Sequence, residues 1–291
     1  MDKYKVISFY LNKNDPEYTV GAIANSLYAP IVYPGWICEY NITKNVLPEV
    51  SQRLSELPHV NVVNHNEEVG DYSRLFYRLE PLSKQNVEAV IFRECNCRLN
   101  EREKAAVDQW IDSDKNFHLM HDHSKFPFFH NGCWGAKPEG FPNIKNIILN
   151  YLASSINRPW EKLAFLNEDE KVCYKRGSYA KFMENVLYPI AEFSLMRHDD
   201  RTKNILGDKI GIPFPTEKTI ESGYVGETYT VDETPQNLQD RITDVDDFAK
   251  STMIYSESDK AEKTESMFKY GRKVFENLRE ARESLKDSID N

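Results

Sequence analysis

Short β-branched runs alternate with stretches of helical spacing through the first 120 residues, and no other feature restricts the fold of this 291-residue chain so strongly. Residues 6–11 read as a first strand that runs into the polar turn NKNDPEY. Val20, Ile23, Ala24 and Leu27 recur at helical spacing until Pro30 and Pro34 end the helix, and residues 36–42 read as the second strand. Leu47, Val50, Leu54 and Leu57 mark an amphipathic helix, residues 60–65 a third strand and residues 73–83 another helix. Residues 87–95, VEAVIFREC, are apolar almost throughout, which predicts a strand buried on both faces. Asn100 is placed to cap a helix over residues 101–111, with Glu103 as its capping-box partner, and residues 117–122 form a further strand.

Strands that alternate with helices predict an α/β fold with a mostly parallel sheet covered on both faces. In such sheets ligands bind beyond the carboxyl ends of the strands, which directs attention to residues 11–14, 94–98 and 122–135. The balance of 46 acidic against 37 basic residues gives a net charge of −9, which repels a phosphate backbone and argues against nucleic-acid binding. A mean hydropathy of −0.62 and the lack of a run of about 18 apolar residues argue against a transmembrane helix, and the polar opening argues against a signal peptide. The expected location is cytoplasmic. Cys38, Cys95, Cys97, Cys133 and Cys173 contain no pair at the spacing of structural zinc sites, so reduced, buried thiols are expected. Cys95 and Cys97 alternate at a strand end and therefore share one face.

From residue 231 the composition shifts. Charge becomes dense, and Met267, Tyr270, Val274, Leu278, Ala281 and Leu285 form a single apolar stripe at helical spacing. This predicts one domain over residues 1–230 and a charged, mainly helical extension over residues 231–291, whose stripe docks on that domain or on a second subunit as a homo-oligomer.

At such a sheet edge an anionic ligand needs fixed cations or a metal for its charge, and proton transfer needs an ionised carboxylate as base. Arg74 and Arg78, four residues apart on one helix face, and Arg158, Lys175 and Arg176 in loop-like sequence are the cation candidates; the competing reading is a solvated surface charge. Asp71 and Asp122 are the carboxylate candidates, with an N-cap role competing for Asp71. Asn131 and Gly132 read as a close-approach turn beside a ligand, and Trp134 as a stacking platform or a core side chain. Strand alternation sets His118 on the face opposite His121 and His123, so a three-histidine metal site is not expected.

The densest set of motif residues is Arg93, Arg98, Leu99, Arg102 to Lys104, Ala106 to Asp108 and Trp110, followed by Phe117, His118, Asp122, His123, Gly132, Trp134 and Gly135. With VGAIANS, YPGW, Phe76 to Arg78, Phe214, Pro215 and YVGE, the chain over roughly residues 1–230 resembles the sugar-nucleotide glycosyltransferases of large DNA viruses, above all chloroviruses, and related bacteria. That resemblance implies the GT-A fold, a UDP-sugar donor, and a glycan acceptor on a viral capsid glycoprotein, with inverting transfer of xylose as the best match. The alternatives are transfer of glucose, galactose or rhamnose from a UDP- or GDP-sugar, or an inactive carbohydrate-binding protein of the same fold. It also implies that Glu94 and Asn96 face the donor, that His198 contacts the metal or the diphosphate, and that Mn or Mg is weakly bound or dispensable, with Glu94 and His198 as ligands. For His198 the competing reading is a satisfied loop histidine. Two departures stand out: Glu94-Cys95-Asn96 replaces an Asp-x-Asp, and Tyr179-Ala180 replaces an Asp-Gln pair.

Overall fold

A computed structural model describes residues 3–65, 74–123, 132–156, 179, 182–191, 194–200, 211–218, 224–231 and 235. Six parallel strands and one antiparallel strand form a single sheet, in which β1 (Tyr4–Leu11), β2 (Ile37–Thr43), β3 (Val60–His65), β4 (Val87–Phe92), β5 (Phe117–His121), β6 (Trp134–Ala136) and β7 (Leu195–Asp199) are ordered β3-β2-β1-β4-β6-β5-β7. The antiparallel member is β6, a three-residue strand wedged between β4 and β5. The α/β class and the mostly parallel sheet are those the alternation predicts. The extension expected to be helical, residues 231–291, lies outside the described residues apart from Val231 and Pro235.

Period-two alternation sorts each strand onto two cores. One face carries Ile7, Phe9, Tyr40, Ile42, Ile91 and Met120 under helices α1 (Pro16–Val32), α2 (Pro48–Ser55) and α3 (Glu101–Ile111). The other carries Val6, Val90, Phe92, Phe117, Leu119 and Trp134 under α4 (Ile144–Ile156) and a 3₁₀ segment, Arg74–Ser83, where sequence reading expects an α-helix. Pro81 lies within that segment. None of the described helices is long and apolar enough to cross a membrane.

Helix α3 begins where expected, with the Asn100 Oδ1 accepting the Glu103 N–H at 2.8 Å. Glu103 does not complete a capping box. Its buried carboxylate receives both Arg93 Nε (3.0 and 3.1 Å) and the Tyr33 hydroxyl (2.9 Å), because a fully buried guanidinium needs a carboxylate more than an exposed helix end does. Helix α1 also departs from expectation. It runs through Pro30 and buries Gly21, Ala22, Asn25, Ser26, Ala29 and Val32, whereas Leu27 is exposed.

Candidate active site

All carboxyl ends of the parallel strands open on one edge, and the strand order reverses between β1 and β4, where β1 leads toward β2 on one side and β4 leads toward β5 on the other. The segment that leaves β4 at this point is Arg93 to Leu99. Its alternation is as the sequence indicates: Cys95 and Cys97 are buried, and Glu94 and Asn96 face the open side, each half-buried. Burial pushes the Cys95 and Cys97 thiols well above their ordinary pKa, with nearby Glu94 adding to the shift. The inward thiols are therefore protonated packing groups.

Glu94 is the exposed end of an otherwise buried pair. Its Oε1 accepts Arg78 Nη1 at 2.8 Å, and its side chain is 27% exposed against 0% for Arg78. Arg78 Nη2 also donates to the Arg93 carbonyl at 3.0 Å, and the Arg78 carbonyl accepts the Ser8 hydroxyl at 2.7 Å. Burial alone would lower the Arg78 pKa, but the Glu94 charge and hydrogen bond, with Tyr179 and Cys95 adding to them, together hold the guanidinium above its ordinary value. Arg78 therefore orients Glu94 from beneath, and the expectation that it grips a diphosphate directly is corrected by its complete burial. Gly132 closes the same spot from β6's side, because a Cβ there would lie 2.8 Å from Glu94 Cγ and 2.9 Å from its backbone nitrogen.

Two residues that sequence reading does not single out as site groups complete this corner. Tyr18 of α1 has its pKa pushed up to about 12, first by burial and then by the Glu94 charge, so its hydroxyl remains a donor; Lys13 Nζ sits 4.4 Å from its ring centroid. Tyr179 is fully buried, within electrostatic reach of Arg78 and Glu94, and its hydroxyl has no hydrogen-bond partner among the described residues. The departure at 179 noted in the sequence thus falls beside Glu94. Tyr18 carries no motif signal beyond its place one turn into the helix that follows β1.

Several other expectations are corrected. Asp122 is not open toward an acceptor. Arg102 grips it with Nε at 2.8 Å and Nη2 at 2.9 Å, Lys218 lies at 3.1 Å, and the Val225 N–H donates at 2.9 Å. Burial pushes its carboxyl up, but the Arg102 hydrogen bonds and the Lys218 charge outweigh that and hold it below the usual carboxylate range. Together with the Arg102–Asp200 pair, this cluster pins segments 211–218 and 224–231 to α3 and the ends of β5 and β7. His198 is also interior, bonded to His118 (2.8 Å) and to Gln109 (3.0 Å), so it reaches neither metal nor diphosphate. Trp134 is fully buried and stacks on Phe92 with centroids 3.8 Å apart, which leaves no ring face for a sugar. Asp71, Asn131, Arg158, Lys175 and Arg176 lie outside the described residues, as does the Arg74 side chain.

For a divalent cation the segment offers one Glu94 oxygen not bound to Arg78 and the Asn96 amide oxygen, whereas hard cations take six or more oxygens. Among the described residues no three histidine, cysteine, aspartate or glutamate side chains cluster in a way that could hold a metal. The protein's own described ligands do not make up a cation site. At the opposite edge of the sheet a cavity of about 530 Å³, lined by Lys3, Lys84, Val87, Phe141 and Lys145, contains none of the motif residues.

No family model matches the chain, and no curated protein matches it. Among solved structures it is similar to a glycosyltransferase involved in glycosylation of the major capsid of PBCV-1, at 12% identity over 70% of this chain and 83% of that one, with a TM-score of 0.39. It is similar to the galactosyltransferase LgtC with donor and acceptor sugar analogues (11% identity, 87% and 98% covered, TM-score 0.43). It is also similar to a cytidylyltransferase from Leptospira borgpetersenii (11%, 88% and 100%, TM-score 0.44). At such identities the substrate has to be argued from the site itself.

Proposed function

We propose that this protein is a GT-A glycosyltransferase that takes a sugar from a UDP-sugar, with xylose the first candidate, and passes it to a glycan acceptor. The observation that carries the reading is the outward pair Glu94 and Asn96 at the strand-order reversal, where α/β sheets bind their ligands. The motif that surrounds them, Arg93 to Leu99, is the one that resembles sugar-nucleotide transferases. The Asn96 amide and Glu94, whose charge Arg78 balances from below, face the donor, while the Tyr18 hydroxyl and the Lys13 ammonium at the same corner supply a hydrogen bond and a positive charge to the departing nucleotide. Arg74, four residues before Arg78, and Arg158 are the further cations this reading assigns to the donor. The acceptor glycan meets the donor sugar beside Asn131 and Gly132.

Inverting transfer requires a base, and with Asp122 locked in its ion-pair cluster that role falls to Asp71. Asp71→Asn keeps an N-cap hydrogen bond and removes only the basicity, so turnover is expected to fall about a hundredfold or more with donor binding kept. Turnover of a UDP-sugar panel, with proton NMR of the first-formed product, is the test. A product with the donor's own anomeric configuration ends the inverting assignment, and an active Asp71→Asn protein moves the base elsewhere. A second reading, a carbohydrate-binding protein without catalysis, draws on the neutralisation of Glu94 by Arg78. UDP binding without turnover of any sugar nucleotide selects it.

A further inference from the structure

Helix α1 turns toward the sheet a face made of small and polar residues, Gly21, Ala22, Asn25, Ser26 and Ala29, where a helix covering a sheet ordinarily presents large apolar ones. At the centre of that face Asn25 is fully buried, and its side-chain hydrogen bonds go to the segment that carries Glu94 and Asn96. Its Nδ2 donates to the Cys95 carbonyl at 3.1 Å and to the Cys97 carbonyl at 2.8 Å, while its Oδ1 accepts the Leu99 N–H at 3.2 Å. Arg98 Nη1 donates to the same two carbonyls, at 3.2 and 3.0 Å.

The helix is itself fixed in place. The Tyr40 hydroxyl of β2 donates to the Ala22 carbonyl at 2.7 Å and accepts the Ser26 hydroxyl at 2.9 Å. Gly21 lets the two backbones meet, since a Cβ there would overlap the Cys95 carbonyl oxygen. From the other side the Asn96 carbonyl accepts the Tyr229 N–H at 2.9 Å, and the Cys97 thiol donates to the Gly226 carbonyl at 3.2 Å.

We infer that Asn25 is a positioning residue: clamping the carbonyls of Cys95 and Cys97 and the amide of Leu99, it holds the alternation that turns Glu94 and Asn96 outward. An amide fits this task because it supplies two donor hydrogens and an acceptor on one short planar group. Aspartate keeps the shape but sets a carboxylate against two carbonyl oxygens, and leucine leaves both carbonyls to Arg98 alone and the Leu99 amide without its acceptor. The inference rests on the reading of Glu94 and Asn96 as the groups that face the donor.

Two changes test it from different directions. Asn25→Asp removes the donor, and Gly21→Ala pushes the Cys95 carbonyl away from α1 without touching Asn25. UDP and uridine serve as binding probes by calorimetry, and hydrogen exchange of the peptide covering residues 94–99 reads the loop without any ligand. In both variants, exchange of that peptide is expected to rise at least about tenfold while peptides from β1 and β4 keep wild-type rates. UDP affinity is expected to fall at least about tenfold with uridine affinity within about twofold, because only the diphosphate half meets the Asn96 amide that this segment turns outward. Equal loss for both probes, or wild-type exchange of residues 94–99 in the folded variants, overturns the inference. If Asn25→Asp does not fold, Gly21→Ala carries the same measurements. A wild-type protein that binds no UDP removes the nucleotide reading instead, and the exchange pattern alone then decides whether Asn25 holds the loop.

Discussion

The Arg78–Glu94 pair joins two duties, holding a buried charge and facing a ligand, and a four-protein series separates them. Arg78 is completely buried and Glu94 is 27% exposed, joined at 2.8 Å, and the Arg78 Nε has no partner among the described residues. Removing one partner of a fully buried pair costs about 3–5 kcal/mol, because the survivor is left charged and desolvated. Water already reaches Glu94, so Glu94→Ala is expected to cost less, about 2–3 kcal/mol, which for a chain of this size lowers Tm by about 4–12 °C. Arg78→Met leaves its charged partner at the surface edge and is expected to cost about 1 kcal/mol, mostly for the Arg93 carbonyl that loses its donor. The double change Arg78→Met/Glu94→Ala contains neither charge and is expected to recover most of the stability lost in Glu94→Ala. Urea unfolding and UDP-sugar turnover, measured on the same four preparations, give the two answers. If Glu94 acts on the bound donor, the double variant regains stability and remains at least about a hundredfold slow. Glu94→Ala with wild-type stability refutes the ion-pair argument, and a double variant with wild-type turnover refutes the donor role.

Burial first, and the Arg102 charge second, push His198 from 6.5 to about 4, so the unfolded chain takes up a proton that the folded one does not. Stability is then complete above pH 6.5 and declines as pH falls toward 4, by about 3 kcal/mol from this group, and urea titrations at stepped pH should show a shallower decline in His198→Gln. Asp122→Ala leaves Arg102 buried against Asp200 alone and should destabilise by about 3 kcal/mol, with faster hydrogen exchange in residues 224–231; unchanged exchange there counts against the pinning role. Burial pushes the Cys38 thiol up to about 12, and Cys95 and Cys133 also lie above their ordinary range, so an alkylating reagent is expected to modify Cys38, Cys95, Cys97 and Cys133 only after unfolding, as peptide mass mapping would show.

What the sequence discloses of this fold follows the range of the forces involved. Period-two alternation and capping are local, so β1 to β5, the Asn100 cap and the inward-outward order of residues 94–97 are legible in the residue pattern alone. Strand β6 is three residues long with glycine at its centre, and β7, LMRHD, has only two apolar residues, so neither carries a period; both exist because neighbouring strands offer unpaired edges. The face of α1 is hidden for a related reason. Val20, Ile23, Ala24 and Leu27 satisfy the apolar pattern, but the requirement at that position is close approach to the Cys95 carbonyl, which only Gly21 and its small neighbours allow. At the site, residue type announces Glu94, yet the ionisable residues Arg78, Asp122 and His198 read alike whether they meet a ligand or an interior partner. Their partners lie 16, 20 and 80 residues away.

The wedge position of β6 sets a timetable for making this protein. Strands β3, β2, β1 and β4 are all synthesised by residue 92 and each finds its neighbour among those already made, so half of the sheet is able to zip while the chain is still emerging. Strand β5 cannot join them, because its place beside β4 is held for residues that come after it. At about 5–20 residues per second, β5 waits on the order of a second for residues 134–136, and β7 follows several seconds later. Through that interval the edge of β4 is unpaired and the ring of Phe92 lacks the tryptophan that will cover it, which makes this edge the place where a nascent chain is most exposed to mispairing with another copy and most in need of a chaperone.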